Sequence, residues 1–188
     1  DLTITGTNVG GITGRVEHAG DYTISGCTYG GTLSATGENA GGILGNVNTA
    51  GKVTINNCTN TADAQISGKG AVGGIIGNMY NGVSVANCYN AGPSTYAIAG
   101  HFYNNTYAIT NSYFLGTNSA KSGPDYVQNE GKEVTGRATA KSAAEMASAD
   151  FAELLGDAFQ QSCPTPVLSW QTAVAHTGTT CENCGLGS

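Results

Sequence analysis

The chain has 188 residues, of which 29 are glycine and 11% are charged, and its formal net charge is −6. This length fits one domain with a small appendage, and 39% hydrophobic residues with low charge predict a packed, turn-rich β protein rather than a disordered chain. The negative charge and the seven scattered Lys and Arg residues exclude nucleic acid and anionic membranes as expected partners.

The N-terminus already has the character of a strand. Residues 1–5 alternate polar and apolar side chains, with no initiating Met and no signal peptide before them. We therefore expect a piece excised from a longer protein that has flanking domains. No apolar stretch reaches the roughly 18 residues that a membrane-spanning helix needs, so no membrane span is expected.

Two motifs then recur at a nearly constant spacing. The motif Gly-Gly-Ile-x-Gly begins at Gly10, Gly41 and Gly73, and a second motif ends at Cys27, Cys58 and Cys88. A fourth, eroded copy has Gly100 at the end of its first block and Ser112 in place of the cysteine. A third short block stands at residues 31–34, 64–67 and 94–96. Such periodicity is the signature of a solenoid.

Three β-prone blocks in each copy predict a parallel β-helix of about four three-sided coils over residues 1–116. The period-two pattern predicts stacked core columns, of which one contains Ile12, Ile43, Ile75 and Ile98, a second Val16, Val47, Met79 and Phe102, and a third Ile24, Ile55, Val85 and Ile109. Glycines are expected at corners with positive φ or close backbone approach. Asn57, Asn87 and Asn111 should form a ladder at one corner, and the repeat cysteines an unbridged stack.

The composition changes near residue 117, and residues 117–172 are predicted to form a loop, a short α-helical cap and a closing strand. Ser142 and Glu145 form a capping-box pattern, and Ser148 and Gly156 bracket a second helix. An apolar stripe is expected from the following residues: Met146, Phe151, Leu154, Leu155 and Phe159. We expect these helices to cover the open end of the repeats.

Residues 173–188 form a tail with a small Cys/His pattern. His176, Cys181 and Cys184 have a spacing that suits tetrahedral Zn²⁺, with Cys163 as a fourth ligand. The alternatives are a disulfide between Cys181 and Cys184, a disulfide that pairs Cys163, or a frayed and truncated tail. No other cofactor is expected.

The segment from Gly73 to Asn90, in which Gly-Gly-Ile-x-Gly is followed by Asn-Cys-Tyr-Asn, resembles the GLUG-type repeat of secreted and surface proteins from gut Firmicutes and related bacteria. The resemblance covers about residues 8–116. It implies a right-handed parallel β-helix outside the cell, at the cell surface or in the cell wall, often in adhesin-like chains. It does not specify a ligand.

No catalytic constellation is visible, so we expect a non-catalytic adhesive or structural stalk. One alternative is a carbohydrate-binding surface, because Tyr80 with Tyr103 and Tyr89 with Tyr113 are predicted to stack at outward positions and to meet a host glycan or a surface protein. The other is a polysaccharide lyase or glycosidase, for which the scattered carboxylates give no clustered site. His18 and His101 are expected to be solvated surface side chains.

Overall fold

The computed structural model of the chain describes residues 3–48, 51–80, 82–102, 108–121, 125–127, 132–134 and 138–174. Most of these residues are in β-strands, and successive repeats build four sheets, which we call A, B, C and D. Strands within these sheets pair in parallel, with an antiparallel pair at the end of sheet B. The all-β prediction is confirmed.

The first two repeats each contribute one strand to every sheet, in the order A, B, C, D. The first repeat contains β1 (Thr3–Gly10), β2 (Thr13–Val16), β3 (Tyr22–Ser25) and β4 (Thr28–Tyr29). The second contains β5 (Thr32–Gly41), β6 (Leu44–Val47), β7 (Val53–Asn56) and β8 (Thr59–Asn60).

The next two repeats keep this order. The third contains β9 (Gln65–Gly68) and β10 (Ala71–Gly73) in sheet A, then β11 (Ile76–Met79), β12 (Val83–Ala86) and β13 (Tyr89–Asn90). The fourth contains β14 (Ser94–Tyr96), β15 (Ala99–Phe102), β16 (Ala108–Thr110) and β17 (Tyr113–Leu115). Residues 94–96, expected as a third short block, form β14: its Tyr96 pairs with Gly73 of β10, and the Pro93 carbonyl just before it accepts from the Ile66 N–H of β9.

The sheets continue past residue 116. Sheet A gains β18 (Ser119–Lys121), sheet B gains β19 (Asp125–Val127) and β20 (Lys132–Val134), and sheet D gains β21 (Thr139–Lys141). The chain then forms α1 (Ala143–Met146), α2 (Ala149–Leu155) and a small antiparallel sheet of β22 (Phe159–Gln160) and β23 (Val167–Leu168). No helix in the described part of the chain has the length and apolarity to cross a membrane.

Each repeat has strands in four sheets, whereas three strands per coil were predicted. Between sheets C and D the chain turns at a residue with positive φ, at Gly26 (62°), Asn57 (52°), Asn87 (51°) and Asn111 (44°). Glycine and asparagine tolerate this left-handed conformation better than other residues. The predicted asparagine corner is therefore confirmed, but the residues after it form the separate short strands of sheet D.

The predicted columns are confirmed by the strand register. Ile24, Ile55, Val85 and Ile109 are consecutive partners across sheet C. The backbone N–H groups of Ile12, Ile43 and Ile75 each donate to the carbonyl of the next isoleucine in the column. Ile12 has a partner on one side only among the described residues and is 46% exposed, whereas Ile43, Ile75 and Ile98 are fully buried.

The cysteine column is unbridged, as predicted. Cys27, Cys58 and Cys88 are free thiols, and each S–H donates to the carbonyl two residues earlier at 3.3, 3.2 and 3.1 Å. Ser112 makes the same bond to Thr110 at 2.9 Å, which explains why serine can replace cysteine there. Burial raises the pKa of the Cys88 thiol.

The two repeat motifs contact each other through the second glycine of each Gly-Gly pair. A Cβ atom on Gly42 would overlap the side chain of Asn60, and one on Gly74 would overlap that of Asn90. Asn60 donates through Nδ2 to the Gly74 carbonyl, and Asn90 donates to Ala97 O at 3.1 Å. These amides satisfy carbonyls at the equivalent turn of the next repeat, which is Gly-Gly at Gly74 and Tyr-Ala at Ala97. The second glycine of each amide's own repeat makes room for it.

The C-terminal helices begin where predicted. The capping box of Ser142 and Glu145 is present, Ser148 caps α2, and Gly156 ends α2 with φ of 97°. Their buried side chains form a second cluster with Tyr89 and Tyr113, separate from the main core. The helices thus cover the outer face of sheet D, whereas they were predicted to cover the open end of the repeats. Leu154 was predicted to lie in the apolar stripe but is 46% exposed.

Candidate binding cleft

The tyrosine pair Tyr89 and Tyr113 is in register, but the predicted exposure of both side chains is wrong. They are 1% and 7% exposed, and the ring of Phe151 on α2 lies 5.9 and 5.2 Å from their ring centroids. The Tyr89 hydroxyl donates to the Pro166 carbonyl and shares a hydrogen bond with the Thr165 hydroxyl at 3.2 Å. The C-terminal segment therefore occupies the face that these tyrosines were expected to offer to a ligand.

The other predicted tyrosine pair is described only in part. Tyr80 is half-buried, packs against the main core and lines a surface cleft. Tyr103 lies outside the described residues. Tyr80 is thus the one predicted ligand-binding tyrosine that the described structure places at a concave surface.

The cleft, of about 590 Å³, lies between the outer faces of sheets A and B. Five asparagines line it: Asn8, Asn39, Asn46, Asn48 and Asn78. The glycines of sheet B bring the two sheets together, because a Cβ atom on Gly45 would stand 2.6 Å from the Val9 carbonyl oxygen in sheet A. This close approach of two backbones forms the narrow angle in which Asn39, Asn46 and Asn78 are buried.

The amides of the cleft form two short ladders. In sheet A, Asn39 donates through Nδ2 to Asn8 Oδ1 at 2.7 Å, and in sheet B, Asn78 donates to Asn46 Oδ1 at 2.8 Å. Each ladder runs from a later repeat to an earlier one. In the next repeat Asn78 has His101 as its strand partner, and Asn39 has Ala71.

The Asn78 ladder ends in an acceptor without a donor. Asn78 is 8% exposed, and its Oδ1 has no hydrogen-bond partner among the described residues. The ladder explains this, because each asparagine donates to the repeat before it and no asparagine follows Asn78. A buried acceptor of this kind costs about 1–3 kcal/mol unless a ligand or water supplies a donor.

Charged side chains stand at the rim of the cleft and are of both signs. Arg15 pairs with Glu17 at 3.0 Å, and Lys69 and Glu38 are exposed. His101, predicted to be a solvated surface histidine, is half-buried in the cleft, and burial lowers its pKa. The imidazole is therefore neutral at neutral pH, and the cleft has little net charge.

The predicted metal ligands are not brought together in the described structure. His176, Cys181 and Cys184 lie outside the described residues. Cys163 is disulfide-bonded, and a disulfide sulfur is not a thiolate ligand. A zinc site made by the remaining tail residues stays a prediction.

The asparagine ladders were missed in the sequence. The signal was present at the residue after the last glycine of the first motif, where the four copies have Arg15, Asn46, Asn78 and His101. All four side chains are polar and recur at one repeat position, which indicates one row across a sheet. Sequence alone did not show that this row faces a concave surface, because that depends on the angle between sheets A and B.

Comparisons with protein-family models, with curated proteins and with solved structures find no match to this chain. No relative assigns a role to the cleft or to the sheets around it.

Proposed function

We propose that the chain is a non-catalytic module of a secreted or cell-surface bacterial protein, where it serves as an adhesive or structural stalk. The proposal includes a right-handed parallel β-helix of the GLUG-repeat type, in which sheets A to D close around the main core. One observation carries it: in each of four repeats the chain passes through the four sheets in the same order. Such stacking builds a rigid column whose length grows with each repeat.

The use of the repeated residues supports a structural role. The cysteines bond to local carbonyls, the inner asparagines Asn60 and Asn90 bond across the Gly-Gly turn, and the isoleucines fill the core. Residues that recur between copies therefore hold adjacent repeats together. Side chains on the outer faces are the ones left to meet a partner, such as a host glycan or surface protein.

Adhesion can be tested with the whole chain coated on beads. We expect beads to be retained under flow on mucin-coated or epithelial surfaces and not on albumin-coated ones. Equal retention on all surfaces would contradict the adhesive role and leave the structural stalk as the proposal. A structural stalk predicts that several copies of the chain fused in tandem resist stretching by a high force. New reducing ends or unsaturated products from a panel of uronate polymers would contradict the non-catalytic proposal.

A further inference from the structure

The cleft between sheets A and B has a floor that suits hydroxyl groups. A primary amide presents a donor and an acceptor side by side, and a sugar hydroxyl can both accept and donate. The floor holds two amide ladders of the same direction, Asn39 to Asn8 and Asn78 to Asn46. A row of amides spaced by successive strands, roughly 4.8 Å apart, offers repeated pairs of donors and acceptors along the cleft.

The unsatisfied Asn78 Oδ1 points to a ligand that donates a hydrogen bond. Its residue is more than nine-tenths buried, and no donor reaches this atom among the described residues. A hydroxyl placed there would recover a hydrogen bond that folding leaves unmade. An anion such as phosphate or a uronate carboxylate would bring acceptors instead of donors to the same atom.

The charges around the cleft also favour a neutral ligand. Arg15 is paired with Glu17, and Lys69 and Glu38 offset each other at the rim. Among the described lining residues Glu38 is the single carboxylate, whereas glycoside hydrolysis uses a pair. Tyr80 adds an aromatic ring of the kind that stacks on the apolar face of a pyranose.

We propose that the cleft between sheets A and B binds a neutral oligosaccharide, with Asn78 and Asn46 holding hydroxyls and Tyr80 contacting a sugar ring. This ligand goes beyond the stalk proposed above, which stands with or without it. The volume of about 590 Å³ lies within the range of sites that hold small organic ligands, and accommodates a few sugar units.

The test uses the full chain and an array of neutral hexasaccharides of glucose, mannose, galactose or xylose, with a polyuronate hexasaccharide and sulfated dextran as anionic probes. We expect at least one neutral hexasaccharide to bind and to shift the side-chain NH₂ resonances of Asn46 and Asn78 in ¹⁵N NMR spectra. Asn78→Leu and Tyr80→Ala should each weaken its Kd by about five- to tenfold. Circular dichroism checks that both variants fold. If Asn78→Leu does not fold, the Kd of Tyr80→Ala and the wild-type NMR spectra suffice to test the proposal.

Trp170→Ala is the matched control, because this exposed aromatic bonds to the Gly26 carbonyl at the corner between sheets C and D. Its Kd should equal that of the wild type. Absence of binding by every neutral hexasaccharide, tighter binding of an anionic probe, or binding lost in Trp170→Ala and kept in Tyr80→Ala would each overturn the proposal. Bead adhesion measured separately distinguishes these outcomes from failure of the stalk proposal.

Discussion

Single glycines set how closely sheets A and B approach. Gly45 lies in sheet B where a Cβ atom would stand 2.5 Å from the Gly14 carbonyl oxygen and 2.6 Å from that of Val9. Both atoms belong to the backbone of ordered strands, so neither can move aside as the end of a flexible side chain could. The φ of Gly45 is not in the left-handed region. The position therefore requires glycine because of this close contact and not because of its backbone conformation.

We predict that Gly45→Ala lowers the free energy of unfolding by about 3 kcal/mol, because the methyl group forces the two sheets apart. Gly116→Ala is the control, since its Cβ would make ordinary van der Waals contacts with the Ala140 side chain at 3.5 Å and the Lys141 carbonyl oxygen at 3.7 Å. The change should stay within about 1 kcal/mol. Urea unfolding followed by circular dichroism measures both. Equal stability of the two variants would show that the approach of sheets A and B is looser than described.

At the scale of elements, the short helices depend on sheet D as much as sheet D depends on them. Phe151 on α2 packs edge-on against both Tyr89 and Tyr113. Helices of four and seven residues are too short to be stable alone in water, so this packing provides most of their stability. The tyrosines in turn are shielded from solvent.

We expect Phe151→Ala to cost about 3–5 kcal/mol, because it leaves a cavity against two buried rings. Leu154→Ala lies in the same helix at an exposed position and should cost less than about 0.5 kcal/mol. Thermal unfolding gives the stabilities, and tyrosine fluorescence or iodination reports whether Tyr89 and Tyr113 become accessible. A small effect of Phe151→Ala would mean that the helices pack weakly on the sheet.

The capping box of α1 predicts a pH dependence. Hydrogen bonds from the backbone N–H and hydroxyl of Ser142, with the Lys141 ammonium nearby, lower the pKa of Glu145 to about 2. Since this pKa lies below the ordinary value of 4.5, the stabilising contribution is fully present above about pH 4.5. It is lost as the pH falls toward 2.

Between pH 4.5 and 2 the unfolding midpoint of the wild type should therefore fall more steeply than that of Glu145→Gln. A ¹³C NMR titration should place the pKa of the Glu145 carboxyl near 2, below the ordinary value of 4.5. Parallel pH profiles of the two proteins would contradict the capping interaction.

At the scale of the whole molecule, one repeat is the unit that can be removed. Gly41 pairs with Gly73 in sheet A, and the laddered Asn46 and Asn78 are 32 residues apart. Deleting residues 42–73 joins Gly41 to Gly74, so that the third repeat enters sheet B where the second one did. The first and third repeats then become neighbours with their columns in register.

We predict that this deletion gives a folded protein with a β-type circular dichroism spectrum and one cooperative unfolding transition, though at lower stability because core area is lost. Deleting residues 42–57 alone joins Gly41, the last residue of β5 in sheet A, to Cys58, which precedes β8 in sheet D. This deletion should abolish cooperative unfolding. Loss of the transition in both proteins would contradict the proposed β-helix, in which a complete turn is interchangeable.

Four features can be predicted from the sequence alone: the period, the register of the columns, the asparagine corner and the two capped helices. Each follows from a local pattern. The alternation around Ile55 recurs in each copy, so the columns repeat in space, and the capping box at Ser142 marks the start of a helix. Four others are seen only in the folded chain: sheet D is separate, Gly42 makes room for Asn60, α2 buries Tyr89, and Asn78 faces a cleft. The contact of Tyr89 with Pro166 joins segments 77 residues apart that have no repeat relation. The place of Asn60 beside Gly42 and of Asn78 in the cleft depends on how the sheets turn toward each other.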